Sequence, residues 1–268
     1  MKTMKKLAFL IPLAFMACSE TTEVAPVSDG GASITPDADG GIIERPDATA
    51  VTDGGRTTDA TTDAEAGATC TAAREQLLKP IDAVSTGAVD VLATNGAVRT
   101  VYVDASAGGT AAASTNPRVY LSLDTAAKAN VTDETAPTST GWDLALKRAV
   151  LFTNSGDGGS GQGGAVLVTK SFESVTAADA SGKVFAAESF FEPDCTAKVD
   201  ATGAVKTSFD GWYDYDMATN GLSPRAGTWL VKGATGKLFK LRIVSYYATP
   251  EGGVGQAGGR YQLEVGAL

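Results

Sequence analysis

The chain has no histidine among its 268 residues and three cysteines, Cys18, Cys70 and Cys195. Imidazole is the usual base of nucleophilic hydrolases and the commonest metal-binding side chain. Ser-His-Asp and Cys-His catalysis are thereby excluded, and three widely spaced cysteines do not build an ordinary zinc site. Side chains able to do chemistry are densest in Asp210-Gly211-Trp212-Tyr213-Asp214-Tyr215-Asp216-Met217. Its carboxylates invite comparison with a glycosidase pair, but the separation such a pair needs is not set by adjacency on one strand. The plainer reading is a strand or turn with an amphipathic aromatic face. Trp and Tyr give large contact area at small entropic cost, which suits a binding surface. The glycine-rich run Asn154-Ser155-Gly156-Asp157-Gly158-Gly159-Ser160-Gly161-Gln162-Gly163-Gly164 is not followed by Gly-Lys-Ser/Thr and leads into a strand-like segment. It offers no helix N-terminus to a phosphate, so no nucleotide is expected there. It reads as a mobile loop between two strands.

The elements that position these residues occupy only part of the chain. Met1–Lys6 is basic, and Leu7–Ala17 is apolar apart from Pro12 and ends in a small residue before Cys18. That pattern predicts a signal peptide over residues 1–17, too short for a stable transmembrane helix. Ala14-Phe15-Met16-Ala17-Cys18-Ser19 resembles a lipobox, in which Cys18 is acylated and becomes the membrane anchor. Phe15 stands where Leu is usual, and a plain secretory signal is the alternative. Ser19 carries no Asp-type retention signal, so the resemblance implies the outer membrane.

Residues 19–69 carry 11 carboxylates against two arginines and no aromatic side chain. Such a composition buries too little surface to offset its ordering entropy. With Cys18 the segment forms an acidic, disordered linker over 18–69, spanning on the order of 40 Å. Its three Asp-Gly-Gly triplets lack the ligand run and closing Glu of a calcium loop. Residues 70–268 hold 17 Lys and Arg against 20 Asp and Glu. No basic run provides the footprint of a nucleic-acid binder. In the oxidising compartment that an export signal implies, Cys70 and Cys195 are expected to pair, closing a long loop worth at most ~4–5 kcal/mol.

Within 70–268, β-branched and aromatic runs recur between Gly, Asn, Asp and Pro clusters, at Val98–Val103, Arg118–Leu123, Trp142–Phe152, Ala165–Thr169, Thr228–Lys232, Leu238–Tyr247 and Arg260–Val265. Several alternate, as Val119, Leu121 and Leu123 do against Tyr120, Ser122 and Asp124, which is the period of half-buried strands. Lys232–Lys237 predicts a hairpin turn with glycines at positive φ. Short helices are expected at Gln76–Asp82 and Glu173–Ala180. Long amphipathic crossovers are missing, so the expected fold is all-β or β-rich, an antiparallel sandwich-like single domain with few short helices.

Two ordered blocks carry a family resemblance. The first is Trp142-Asp143-Leu144-Ala145-Leu146-Lys147-Arg148 with Phe152–Gly156 and Gly161–Ala165. The second is Trp212–Asp216 with Ser223-Pro224, Thr228–Val231, Gly236–Ile243 and Tyr246-Tyr247. Together, over roughly Val84 to the C-terminus, they resemble the HmuY family of bacterial lipoproteins. The resemblance implies a non-enzymatic protein that captures haem or a related tetrapyrrole, from free haem or a haem-protein donor, for a TonB-dependent outer-membrane receptor. It leaves open whether the domain faces the periplasm or the outside. Characterised members ligate iron through pairs of His or Met. This chain lacks the first, and beyond the signal peptide Met217 is its only methionine. Asn220 lies where some relatives are expected to carry His. The remaining candidates are Met217 with Tyr213 or Tyr215, since thioether and tyrosinate both ligate haem in principle, then Lys147, or apolar capture without axial bonding. The alternative is a surface interaction or structural lipoprotein that keeps the fold without haem.

Overall fold

A computed structural model describes residues 70–201 and 203–268. The expected signal peptide, the expected lipid anchor Cys18 and the expected linker over 18–69 lie outside the described residues.

The domain opens with helix α1, Thr71–Leu78. The strands follow as β1 Val89–Asn95, β2 Val98–Asp104, β3 Val119–Ser122, β4 Ala127–Lys128, β5 Leu144–Lys147, β6 Val150–Thr153 and β7 Gly164–Val168. After them come β8 Tyr213–Asp216, β9 Gly221–Pro224, β10 Thr228–Lys232, β11 Leu238–Ser245 and β12 Arg260–Ala267. They form a six-stranded sheet in the order β1-β2-β12-β11-β10-β7, a four-stranded sheet β4-β3-β5-β6, and a separate β8-β9 hairpin. Every pairing within these sheets is antiparallel. The expected β-rich sandwich is what the chain forms.

Alternation explains the main core. Val101 and Val103 of β2, Leu241 and Ile243 of β11, and Tyr261, Leu263 and Val265 of β12 share one buried cluster with Val119 and Leu121 of β3 and Leu144 and Leu146 of β5. Residues two apart on each strand thus join the sheets face to face. The opposite face of the small sheet is also covered. Tyr120, Ala145 and Phe152 pack there with Trp142, Phe190, Phe191 and Leu78 of α1. A sheet buried on both faces reads as a continuous apolar run rather than an alternating one. Trp142–Phe152 is therefore two strands, β5 and β6, joined by a turn in which Arg148 adopts φ 53°.

The cover is held by the Cys70–Cys195 disulfide, whose partners are 125 residues apart in sequence. The helix expected at Gln76–Asp82 is displaced to Thr71–Leu78, ending at Lys79 in the left-handed region. Pro80 is the reason: the residue before a proline avoids the helical region, and proline has no N–H to donate. The expected helix at Glu173–Ala180 resolves into 3-10 turns at Phe172–Ser174 and Ala177–Ala180, with Val175 extended between them.

The glycine-rich run does link two strands, β6 and β7, but it is packed rather than loose. Buried Asn154 donates to the carbonyls of Ser139 and Trp142 at 2.8 and 2.9 Å and accepts from Gly161 N–H at 3.0 Å. A Cβ on Gly161 would stand 2.7 Å from the Asn154 carbonyl oxygen and 2.8 Å from Ala234 Cα. Glycine here permits close approach of backbone to backbone, not freedom of movement. Asp143 uses both carboxylate oxygens to tie the sheets together, accepting from Leu123 N–H at 2.7 Å and Ala234 N–H at 2.8 Å.

Glu188 fastens the covering segment in a similar way. One oxygen accepts from Thr153 N–H, Thr153 Oγ1 and Ser208 Oγ, and the other from Ser208 N–H at 2.8 Å. Burial pushes its carboxyl above the ordinary range, against the pull of these donors. A carboxyl raised in the folded state adds stability below its unfolded value, and that contribution is lost as pH rises through the folded value. Glu188→Gln should cost about 1–3 kcal/mol, because the amide would set a donor against Ser208 N–H. The gap from the unmodified protein should widen on acidification from pH 7.5 to 4. Urea melts at the two pH values check this, and a gap that narrows toward pH 4 would refute it.

Candidate functional site

The β8-β9 hairpin stands beside the sandwich and is seated on it by aromatic packing. Trp212 is buried, donates from Nε1 to the Ala149 carbonyl at 2.9 Å, and meets Tyr213, Tyr246 and Tyr261 with ring centroids 4.8–5.7 Å apart. Tyr246 also contacts the Tyr247 and Tyr261 rings, edge-on at 5.0 and 5.3 Å. Edge-to-face contact suits the ring quadrupoles. Tyr261 donates to the Arg148 carbonyl at 2.6 Å and Tyr247 accepts from Leu222 N–H at 2.9 Å. Strands β11 and β12, the β5-β6 turn and the hairpin are thus locked around one aromatic floor.

Above that floor opens a cleft of about 530 Å³, lined by Thr110, Ala113, Arg148, Ala149, Tyr213, Tyr215, Leu222 and Tyr246. Its size lies within the range of drug-sized ligand pockets. Tyr213 and Tyr215 lie two apart on β8 and so share a face, and Leu222 is paired with Tyr215 across the hairpin. Asp214 projects to the other face, where it pairs with Arg225 at 2.8 Å. Arg148 donates to the Gly258 carbonyl at 2.8 Å and to Thr110 Oγ1 at 3.1 Å. Among the described residues no carboxylate forms an ion pair with it. Its charge is held at the edge of an apolar cavity without a counter-ion. A second, more polar cleft of about 300 Å³ shares Ala149, Tyr213 and Tyr215 with it and is also lined by Asp200, Asp210 and Arg225.

The four residues singled out as ligands are separated by the fold. Tyr213 and Tyr215 line the cleft. Met217 stands in the hairpin turn, 80 % exposed and outside the lining. That turn is braced by Asp216, which accepts from Ala218 N–H and Thr219 Oγ1 at 2.8 Å each. Lys147 does not line the cleft. On β5 it shares the face of Ala145, opposite Leu144 and Leu146, and burial with nearby Arg118 pushes its ammonium down while Asp133 opposes the shift. Burial raises the Tyr213 hydroxyl, with Asp200 and Asp210 adding to the effect. Tyr215 donates to Asn220 Oδ1 at 2.6 Å. Burial raises Tyr246 as well.

Sequence reasoning did not single out Arg148, Tyr246 and Leu222 as cleft residues. Arg148 adjoins Lys147, and only the turn geometry decides which of the two reaches the cleft.

No curated protein matches the chain. Solved structures that the chain is similar to include a chain from Bacteroides fragilis described as a lipoprotein, at 17% identity and TM-score 0.40, covering 65% of this chain and 91% of that one. A chain from Bacteroides vulgatus described as a HmuY-like heme binding protein is 17% identical with TM-score 0.44, covering 66% and 97%. An apo HmuY analog from Tannerella forsythia is 11% identical with TM-score 0.37, covering 68% and 98%. The profile of the family described as HmuY protein matches residues 114–261, a span that runs from just before β3 through both signature blocks to the start of β12. Over more than half its length, then, the chain carries that pattern, and it belongs to the HmuY family.

Proposed function

We propose that the domain is a non-enzymatic binding module that takes up haem or a related tetrapyrrole in the cleft between the β8-β9 hairpin and the β5-β6 turn. The observation that carries this reading is the pairing of an aromatic, apolar cavity with an uncompensated guanidinium at its edge. A tetrapyrrole is a flat apolar ring that bears carboxylates, and tyrosine faces with an arginine complement both parts. When iron is present, Tyr213 and Tyr215 are the oxygen donors that the cleft offers. Met217 sits close by along the chain, in the hairpin turn. Family membership supports the same ligand class. Cys18 would anchor the protein to the outer membrane, with haem or a haem-protein as donor and a TonB-dependent receptor as recipient. Among the described residues no helix is long and apolar enough to cross a membrane.

Haemin titration of residues 70–268, followed at the Soret band, tests the reading. A saturable one-to-one shift with micromolar or tighter affinity is expected. Leu222→Asp, which puts a charge in the apolar wall, should weaken it about tenfold or more. No shift in either redox state would remove haem and leave an interaction lipoprotein that keeps the fold.

A further inference from the structure

We propose that the cleft recognises its tetrapyrrole by ring face and by a peripheral carboxylate paired with Arg148, so that binding does not require iron. This rests on the reading of the cleft given above and narrows it from a haem site to a site for the porphyrin skeleton.

The donor set argues for it first. The chain has no histidine, and its one methionine beyond the signal peptide points to solvent from a turn outside the lining. The phenols that do reach the cleft are poorly placed as anionic ligands. The Tyr246 ring is held by edge-on contacts with Tyr247 and Tyr261, and the Tyr213 ring by its edge-on contact with Trp212. The Tyr215 hydroxyl is spent on Asn220 at 2.6 Å. An axial bond would have to displace one of these arrangements, and tyrosine ligates haem iron as the phenolate.

Arg148 argues for it second. Its φ of 53° is fixed by the β5-β6 turn, and its backbone is clamped at both ends. Its N–H donates to the Ala105 carbonyl at 2.8 Å, and its carbonyl accepts from Tyr261. Bonds to Gly258 and Thr110 use two of the five guanidinium N–H donors. The others are left for a carboxylate, and guanidinium binds carboxylate by paired, charge-assisted hydrogen bonds. A positioned side chain of this kind loses little entropy on binding. The cavity therefore supplies a fixed cation and aromatic faces, which iron does not alter.

The test compares three ligands on residues 70–268: haemin, iron-free protoporphyrin, and the dimethyl ester of protoporphyrin. Porphyrin fluorescence and quenching of tryptophan emission report the iron-free forms, and the Soret band reports haemin. Protoporphyrin is expected to bind within about threefold of haemin. The ester should bind about tenfold or more weakly, because it cannot form the charge-assisted pair. Arg148→Ala should weaken both free acids by a similar factor and leave the ester unchanged. The ester alters the ligand alone, so the inference stays testable if Arg148→Ala folds poorly. Haemin binding with protoporphyrin weaker by tenfold or more would overturn the inference and leave haem capture standing through iron. Equal binding of ester and acid would overturn the role of Arg148. Failure of all three ligands to bind would overturn this inference together with the tetrapyrrole reading itself.

Discussion

Reducing the Cys70–Cys195 disulfide, or replacing Cys195 by Ala, is expected to lower the unfolding free energy by up to about 4–5 kcal/mol. The bridge closes a loop of 125 residues, and the entropy removed from the unfolded chain grows with the logarithm of that length. For a domain of this size each kcal/mol moves the midpoint by about 2–4 °C, so Tm should fall by roughly 10–20 °C. The loss has a place as well as a size. Cys70 precedes α1, and Cys195 lies in the segment that carries Phe190 and Phe191 onto the outer face of the small sheet. Without the bridge, α1 and that segment must hold the second core by packing alone. Thermal melts with and without reductant decide the matter, and a shift below about 2 °C would mean that the unfolded chain is not appreciably constrained by the bridge. Amide exchange should rise first in residues 71–78 and 188–199.

Asp133→Ala should be nearly as costly, by about 3–5 kcal/mol. The carboxylate is buried with Arg118, their side chains 1 % and 8 % exposed, and the pair lies 3.1 Å apart. Asp133 also accepts from Arg118 N–H at 3.0 Å, from the Tyr120 hydroxyl at 2.9 Å and from Ile81 N–H at 3.3 Å. Removing it strands a guanidinium, a phenol and two amides in an apolar setting, beside the Phe152 ring that Arg118 overlies. The expense comes from the uncompensated charge more than from the lost attraction. Arg118→Met combined with Asp133→Leu should therefore recover much of the stability. Urea unfolding of the single and double variants measures the difference. A double variant no more stable than Asp133→Ala would show that the pair is required for packing. Neither variant touches the cleft, so ligand affinity of the folded fraction should stay unchanged.

Much of the architecture was legible before any coordinate. Alternation marked β11 and β12, because one face of each meets the core and strand periodicity exposes that fact directly. The hairpin between β10 and β11 was legible for a local reason: Gly236 takes φ 86°, which glycine adopts freely. The pairing of Cys70 with Cys195 followed from counting. Where burial is two-sided, the signal failed. Trp142–Phe152 is apolar on both faces, so nothing in its pattern marks the turn at Arg148. The glycine-rich run failed in the opposite direction. Its composition is that of a flexible loop, while its missing side chains admit Asn154 and Ala234.

The site divides along the same line. Residue types alone removed histidine chemistry, zinc and nucleotide phosphate from consideration, and they marked Tyr213 and Tyr215 as candidate ligands on an aromatic segment; that the two share a side follows from β8 being a strand. That Thr110, Arg148, Leu222 and Tyr246 meet those tyrosines depends on sheet order, on the seating of the hairpin by Trp212, and on which side of a two-residue turn an arginine leaves. These are contacts between segments tens of residues apart. Local periodicity carries no information about them, because each strand satisfies its own pattern whichever neighbour it pairs with. Tertiary packing alone chose Arg148 over Lys147 for the cleft and set Met217 in solvent.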